Sequence, residues 1–432
     1  MSTAILKNDK KTINGWAMFD WANSAYALTI MVAVFPPYYE AITNGQTYLG
    51  DWNVSNTALY SFAISLSYLV VSIQSPILSG IADYGGRKLS FMKFFSTLGA
   101  ICCMLLFFFK SSDDIVLGIV ASVLAAIGFA GSLVFYNSFL PDIATTDQMD
   151  AVSAKGFSYG YIGSVILLLI NLLVIQKPEW FGLDPSGTLP VRLAFLMVGI
   201  WWLVFAAYSF KRLPQDVPIK NQQNLVSKGI AQFKNILKKV ISQPNILLFL
   251  VSFFLYSAGV QTVILLASLF GSSELGFEQT ELIVIILLLQ IVGIAGAYLF
   301  TKISELRGNK FALSIILVIW MGICVAAYLI TIKNHFYFAI IAIGLVMGGV
   351  QSLSRSTYAK LLPKESEATT SYFSFYDILE KMAIVTGTLS FGFIDVLTGG
   401  MRNSILSLVV FFILGLGCLL LVDMKQTKTV VK

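Results

Sequence analysis

The segment Ser79-Gly-Ile-Ala-Asp83-Tyr-Gly-Gly86-Arg87-Lys88 decides the fold, because it joins two long apolar runs and then returns later in the chain. Its core, Asp83-x-x-Gly86-Arg87-Lys88, is matched by Glu305-x-x-Gly308-Asn309-Lys310 at a shift of about 222 positions. At the same shift, Leu140-Pro141 is matched by Leu362-Pro363. Such a repeat, with long apolar runs in both copies, predicts a doubled membrane bundle.

Composition supports a membrane protein. Apolar residues make up 57% of the chain and charged residues 12%, whereas soluble domains carry about 25% charged residues. A helix needs about 20 apolar residues to cross a bilayer. We therefore predict an all-α membrane protein with twelve transmembrane helices in two pseudo-symmetric six-helix bundles. The predicted spans are 16–37, 57–80, 90–109, 115–137, 157–176, 192–210, 245–270, 280–301, 311–332, 336–360, 372–397 and 403–423.

Three regions follow from this pattern. Residues 1–210 form an N-terminal six-helix bundle, 211–243 a cytoplasmic linker, and 244–432 a C-terminal six-helix bundle. Within the linker, a predicted amphipathic helix lies on the inner leaflet, although a plain solvated linker is the alternative. Its apolar face consists of Ile230, Phe233, Ile236, Leu237, Val240 and Ile241.

The basic residues indicate an orientation. With the amino terminus inside, 22 of the 29 Lys and Arg residues fall on the cytoplasmic side, as the positive-inside rule expects. Both termini are then cytoplasmic, and we expect a monomer in a bacterial inner membrane, with the lipid bilayer and a small-molecule solute as its partners. Nucleic-acid binding is not expected, since the basic residues are scattered over short loops.

Charged side chains inside the predicted spans are the sharpest functional signal. Each is unfavourable by at least about 2.5–3.5 kcal/mol at a helix centre and needs a partner or water. One lies in span one and one in span ten, and three share a face of span eleven. These are Asp20, Arg355, Asp377, Glu380 and Lys381. Either they bind solute or carry a coupling proton, or Arg355 and an acid form a gate or structural pair.

Neutral polar groups in the spans are further candidates for solute contacts. Side-chain amides and hydroxyls at such depth hydrogen-bond either a polar solute or a neighbouring helix. The candidates are Asn23, Ser24, Tyr26, Tyr136, Asn137, Gln261, Gln290 and Gln351.

Several chemistries have no motif in this sequence. There is no G-x-x-x-x-G-K-[ST] phosphate loop, which argues against an ATP-driven pump, and no H-E-x-x-H or G-x-S-x-G motif. The four cysteines form no C-x-x-C pair. We expect neither a cofactor, nor a bound metal, nor enzymatic activity.

The repeated loop resembles a motif of the major facilitator superfamily, G-x-x-x-D-R-x-G-R-R, which joins spans two and three. Asp83, Gly86, Arg87 and Lys88 match that pattern, whereas Ser79 and Tyr84 depart from it. The resemblance implies that these four matching residues belong to a loop that closes a cytoplasmic gate.

A narrower resemblance is to the vacuole-effluxer-like branch of that superfamily. It rests on four segments, and it implies a small polar solute, with amino acids as one such class. The segments are Trp16-Ala-Met-Phe-Asp20-Trp21-Ala-Asn23-Ser24-Ala-Tyr26, Phe135-Tyr136-Asn137-Ser-Phe-Leu140-Pro141, Ser153-Ala-Lys155-Gly156-Phe-Ser-Tyr-Gly160-Tyr161-Ile-Gly163 and Gly348-Gly-Val-Gln351-Ser-Leu-Ser354-Arg355-Ser.

The sequence therefore predicts a secondary active transporter that works by alternating access and is coupled to protons. Two alternatives stay open: an uncoupled facilitator of the same fold, and a non-transporting membrane receptor or assembly factor. The solute, the direction of transport, the coupling ion and the oligomeric state do not follow from the sequence.

Overall fold

The computed structural model describes residues 7–43, 46–49, 52–218, 224–363, 366 and 368–424. Most of this part of the chain is helical. The α-helices are α1 (Lys10–Ala25), α2 (Phe35–Thr43), α3 (Asn56–Gly85), α4 (Lys88–Leu105), α5 (Ile115–Ser138), α6 (Leu140–Ile143), α7 (Met149–Gln176), α8 (Leu189–Arg212), α9 (Leu225–Ser242), α10 (Pro244–Leu275), α11 (Gln279–Arg307), α12 (Asn309–Leu329), α13 (Lys333–Leu361), α14 (Thr369–Thr398), α15 (Met401–Ser407) and α16 (Val409–Leu421).

Twelve helical segments in the described residues are long and apolar enough to cross a bilayer, and each overlaps one predicted span. The observed helices run several residues beyond most predicted bounds, since the polar ends of a membrane helix add nothing to its apolar pattern. The first segment, Lys10–Thr43, consists of α1, a π-helix and α2. The last, Met401–Leu421, consists of α15 and α16.

The helix ends follow ordinary capping chemistry. Asp9 caps α1, where its carboxylate accepts the backbone N–H and the hydroxyl of Thr12, both at 2.8 Å. The backbone hydrogen bond from Thr12 holds the pKa of Asp9 below its ordinary value. At the other end of α3, Gly86 adopts φ 62°, the left-handed conformation that ends helices and suits glycine.

The first span changes its helical type half-way. The segment Tyr26–Val34 is a π-helix, and the N–H of Phe35 donates to the carbonyl of Ile30, five residues earlier. Pro36 and Pro37 follow at the start of α2, and because proline has no backbone N–H, neither can donate to a carbonyl of the preceding π-helix. This wide-turned segment directly follows the polar residues of α1.

A short antiparallel hairpin joins the first two spans. Its strands are β1 (Gln46–Leu49) and β2 (Trp52–Ser55), and Gln46 pairs with Ser55. This element is an addition to the predicted all-helical pattern. It lies outside the membrane-spanning segments.

The chain forms two compact units. The first consists of Met1–Asn137 and Tyr159–Ile230, and the second of Ser138–Ser158 and Ala231–Lys432. These bounds differ from the predicted division, because Ser138–Ser158 joins the second unit and α9 is divided after Ile230. The predicted linker contains residues 219–223, which lie outside the described part of the chain.

Within the second unit, α11 and α13 pack closely through glycines. A methyl group on Gly348 would lie 2.0 Å from the carbonyl oxygen of Gly293, and one on Gly296 would lie 2.0 Å from that of Leu345. Small residues allow such backbone contact between membrane helices. The glycine face of α13 therefore lies against α11.

Candidate functional site

The first unit buries a carboxylate beside a phenol. Asp20 on α1 is 5% exposed, and the hydroxyl of Tyr136 on α5 donates to its Oδ2 at 2.6 Å. Both residues were candidates from the sequence, and the structure brings them together. The phenol is thus one hydrogen-bond partner of this buried acid.

Trp16 fixes the position of this phenol. Its ring stacks on Tyr136 with centroids 4.5 Å apart, and its Nε1 donates to the Tyr136 carbonyl at 3.0 Å. A phenol held by stacking loses little conformational freedom when it donates to Asp20. Trp16 lies one turn before Asp20 on α1, so its place in the first sequence segment has a structural reason.

Asn23 has an unsatisfied amide. It is 1% exposed, and neither its Oδ1 nor its Nδ2 has a partner among the described residues. Buried amides are nearly always hydrogen-bonded, so this one is suited to meet a solute or water. The other first-unit candidates have different surroundings. The ring of Tyr26 packs against Phe129 and Trp202, and Ser24 and Asn137 are half-buried.

The second unit contains a buried ion pair on α14. Lys381 donates to Oδ1 of Asp377 one helical turn away, and the two side chains are 9% and 3% exposed. Oδ2 of Asp377 has no partner among the described residues. Charge is therefore balanced locally, while one carboxylate oxygen remains without a donor.

Arg355 does not form the ion pair that we considered for it. Among the described residues, neither Asp377 nor Glu380 lies within ion-pair distance of its guanidinium. Arg355 is 2% exposed; its Nε donates to the Ser153 hydroxyl at 3.0 Å, and it lies 4.1 Å from the Phe157 ring centroid. Lys381 lies on the same helix as Asp377 at the favourable i+4 spacing, so Asp377 pairs with Lys381 instead of Arg355.

Glu380 has a neutral partner, as Asp20 does. Nε2 of Gln261 on α10 donates to its Oε1 at 3.2 Å, and Glu380 is half-buried. The structure thus brings together two predicted residues from different helices. Gln290 is half-buried on α11 with no side-chain hydrogen bond to the described residues, and Gln351 is half-buried on α13.

The predicted gate loop is held by a residue that the sequence did not single out for this role. Arg87, at the N-cap of α4, makes no capping side-chain bond, and Lys88 is the first residue of that helix. Asp216 caps it instead by accepting the N–H groups of Leu89 and Ser90, both at 2.7 Å. Because Asp216 is 126 residues from Ser90, no local pattern could have indicated this contact.

A second polar cluster, around Asp150, was not predicted. Asp150 is 2% exposed and accepts from Asn309, Ser304 and Lys360, which come from α12, α11 and α13. The sequence contained one signal for this cluster, because Asn309 belongs to the second copy of the repeated loop. The structure gives that copy a buried acid as its partner.

Two other features do not add to the site. A small apolar cavity in the second unit is lined by Phe270, Phe336 and Phe391, with Thr262 as its polar residue. It contains no charged side chain. Over the described residues, no group of three or more His, Cys, Asp or Glu side chains could hold a metal ion.

Comparison with known sequences places this arrangement in a family. The family model described as "Vacuole effluxer Atg22 like" matches residues 8–432. The chain belongs to the Atg22-like vacuole-effluxer family. An uncharacterized MFS-type transporter, YxiO of Bacillus subtilis, is 32% identical over 425 residues, which are 98% of this chain and 97% of that protein.

More distant members of the Atg22-like family include fungal proteins. Autophagy-related protein 22 of Kluyveromyces lactis is 26% identical over 421 residues, covering 88% of this chain and 82% of that protein. The relatives named here are transporters or autophagy-related proteins rather than enzymes, as the sequence predicted.

Solved structures show the fold. The major facilitator transporter FucP, in its outward conformation, matches with a TM-score of 0.70 at 13% identity and covers 96% of this chain and 100% of that one. The human organic anion transporter MFSD10 matches with a TM-score of 0.70 at 10% identity, with the same coverage. The predicted major facilitator fold, a multi-pass membrane protein with twelve helices, is therefore confirmed.

Proposed function

We propose that this protein is a secondary active transporter that moves a small polar solute by alternating access and is coupled to protons. One observation carries the proposal: each unit places a carboxylate inside its membrane spans, Asp20 beside the Tyr136 phenol and Glu380 beside the Gln261 amide. Such acids are unfavourable in a bilayer and are retained where ions or solutes pass.

Their partners distinguish the two acids of α14, Asp377 and Glu380. If Asp377 took up a proton, Lys381 would remain as a buried cation without its counter-charge, which is strongly unfavourable. Glu380 forms no ion pair among the described residues, and its hydrogen-bond donor is the Gln261 amide, so its protonation leaves no ion-pair partner behind. We therefore propose Glu380 as the proton carrier, with Asp20 as the candidate in the first unit, and a structural role for the Asp377–Lys381 pair.

Two polar side chains, one in each unit, bear on the solute class. Asn23 offers an unused donor and acceptor, and Arg355, buried beside Ser153, offers a cation. Side chains of these types support a solute that carries both an amino and a carboxyl group. Amino acids are the first class to test, and Ser24, Tyr26, Asn137, Gln290 and Gln351 are secondary contact candidates.

A thermal-shift screen of the purified protein tests the solute class. Ligands that bind the folded protein raise its apparent stability by RT ln(1 + [L]/Kd), about 2.7 kcal/mol at 100-fold Kd. We expect a shift with one or more of the twenty amino acids and none with sugars or nucleosides. A shift restricted to sugars, nucleosides or organic anions would replace the amino-acid assignment.

Flux measurements in proteoliposomes test the coupling. With a radiolabelled amino acid identified in the screen, an imposed pH gradient should drive accumulation in the wild-type protein. Glu380→Gln should lose accumulation but keep solute exchange in the absence of a gradient, since exchange needs no net proton movement. Wild-type flux that ignores the pH gradient would identify an uncoupled facilitator, and binding without any flux would identify a receptor.

The orientation and assembly state belong to the same proposal. We propose a monomer in a bacterial inner membrane, with both termini and the Asp83–Lys88 loop on the cytoplasmic side. The excess of Lys and Arg on that side supports this orientation. The terminal residues 1–6 and 425–432 lie outside the described part of the chain.

A further inference from the structure

Helix α9 carries apolar side chains that its neighbours leave uncovered. One side of the helix is packed, because Ile236 and Val240 are buried and Phe233 stacks on Phe375 with centroids 4.9 Å apart. Other apolar residues of the same helix are open. Val226, Leu237 and Ile241 are 58%, 36% and 59% exposed.

The exposed apolar residues form a single stripe. At 3.6 residues per turn, the positions of Val226, Leu237 and Ile241 fall within about 60° of one another, directly beside the packed side. Lys234 and Lys238 come next around the helix, at the far edge of the stripe. A stripe of apolar residues bordered by lysines is typical of a helix that lies in a membrane interface.

We infer that this stripe inserts into the boundary between headgroups and acyl chains of an anionic leaflet, with Lys234 and Lys238 against lipid phosphates. The charge fits this occupant, because Leu225–Ser242 contains four lysines and no acid. The position fits as well. A single residue, Gln243, separates the end of α9 from Pro244, where the membrane-spanning helix α10 begins.

Depth measurements on the full-length protein test this insertion. A nitroxide label is attached at Ile241→Cys, at Leu237→Cys or at Asn235→Cys, in a variant whose four native cysteines are replaced. Asn235 is exposed on the opposite side of α9 and serves as the matched control. In vesicles of phosphatidylcholine and phosphatidylglycerol, the labels at 237 and 241 should collide with oxygen in preference to a water-soluble nickel chelate, and the label at 235 should show the reverse.

The role of charge is tested with a second matched pair. Lys234→Gln and Lys239→Gln each remove one exposed lysine, but Lys239 lies on the other side of the helix. Each lysine at the surface contributes similarly to the attraction by anionic lipid. Phosphatidylglycerol should therefore increase the depth of the label at residue 241, and loss of one of the two lysines at the stripe should reduce this increase by about half. Lys239→Gln should leave that increase nearly unchanged.

Two outcomes would overturn the inference. Equal access of the nickel chelate to labels at 235, 237 and 241 would place the stripe in water. Labels at 237 and 241 that neither reagent reaches would show that protein, either a second copy or another partner, covers the stripe. This inference is independent of what the protein transports, because the immersion assay requires no solute.

Discussion

The charges of Asp377 and Lys381 neutralise each other at a position where both side chains are almost fully buried. Removing one partner of a buried pair is unfavourable by about 3–5 kcal/mol, because the other charge stays buried alone. We expect Asp377→Asn to lower the thermal stability of the purified protein strongly, and Lys381→Met to do the same. The measurement is the unfolding temperature of each variant in one detergent.

The double variant is the decisive control for this pair. Asp377→Asn combined with Lys381→Met removes both charges, so it should be more stable than either single variant, as replacements of buried pairs by neutral residues often are. If the losses of the two single variants simply add, the side chains do not interact energetically and Asp377 returns to the list of proton carriers.

At this scale the sequence predicted which charged side chains are buried better than it predicted their partners. A charge within an apolar run is visible in the sequence, and Asp20, Arg355 and Asp377 are all buried as expected. The direction in which Arg355 extends was not predictable. Its guanidinium reaches Ser153 because of how α13 packs against the start of α7, and no local pattern records that packing.

The glycine contact between α11 and α13 gives a prediction for an element. Gly348→Ala would place a methyl group 2.0 Å from the carbonyl oxygen of Gly293, and such overpacking is unfavourable by about 1–3 kcal/mol. We expect a lower unfolding temperature. Gly417 on α16 is the matched control, since a Cβ there meets nothing within 4 Å and alanine gains up to about 1 kcal/mol in helix propensity.

A second prediction concerns the start of α4. Asp216→Ala leaves the N–H groups of Leu89 and Ser90 without their acceptor, and loss of a helix cap lowers stability by about 0.5–2 kcal/mol. Hydrogen exchange at Leu89 and Ser90 should accelerate, while exchange further along α4 changes little. Asp216→Asn keeps one acceptor oxygen and should fall between wild type and alanine; equal exchange in all three proteins would contradict the capping role.

The long helices were predictable from the sequence, because about 20 consecutive apolar residues leave few alternatives to a membrane span. The connections between the helices were less predictable. The cap from Asp216 depends on a contact between distant segments, and the hairpin β1–β2 occupies a stretch without strict alternation of apolar and polar residues.

For the whole molecule, the distribution of lysine and arginine predicts orientation in the membrane. Green fluorescent protein fused after residue 432 should fluoresce, since it matures in the cytoplasm. Alkaline phosphatase inserted after Gly182, in the loop between α7 and α8, should be active, since that loop is predicted to lie outside. The opposite pattern would reverse the assignment of both termini and of the Asp83–Lys88 loop.

The composition of the two units adds to what the repeat indicates. The repeated loops predict two halves, and the structure groups Ser138–Ser158 with the second unit. Its assignment reflects contacts such as Asp150 with Asn309 and Lys360, which join residues about 160 to 210 positions apart. Sequence repeats show how a chain is duplicated but not which segments finally pack together.

The π-helix of the first span has a consequence for how this chain tolerates changes in length. Hydrogen bonds between residues five positions apart, as from Phe35 to Ile30, give the turn one residue more than a turn of α-helix contains. Removal of one residue from Tyr26–Val34 can therefore be absorbed by tightening that turn to an ordinary one, so that Asp20 and Pro36 keep their orientations. The same deletion within α1 would rotate every side chain beyond it by about 100°. Related chains that are one residue shorter in their first span should have their gap here.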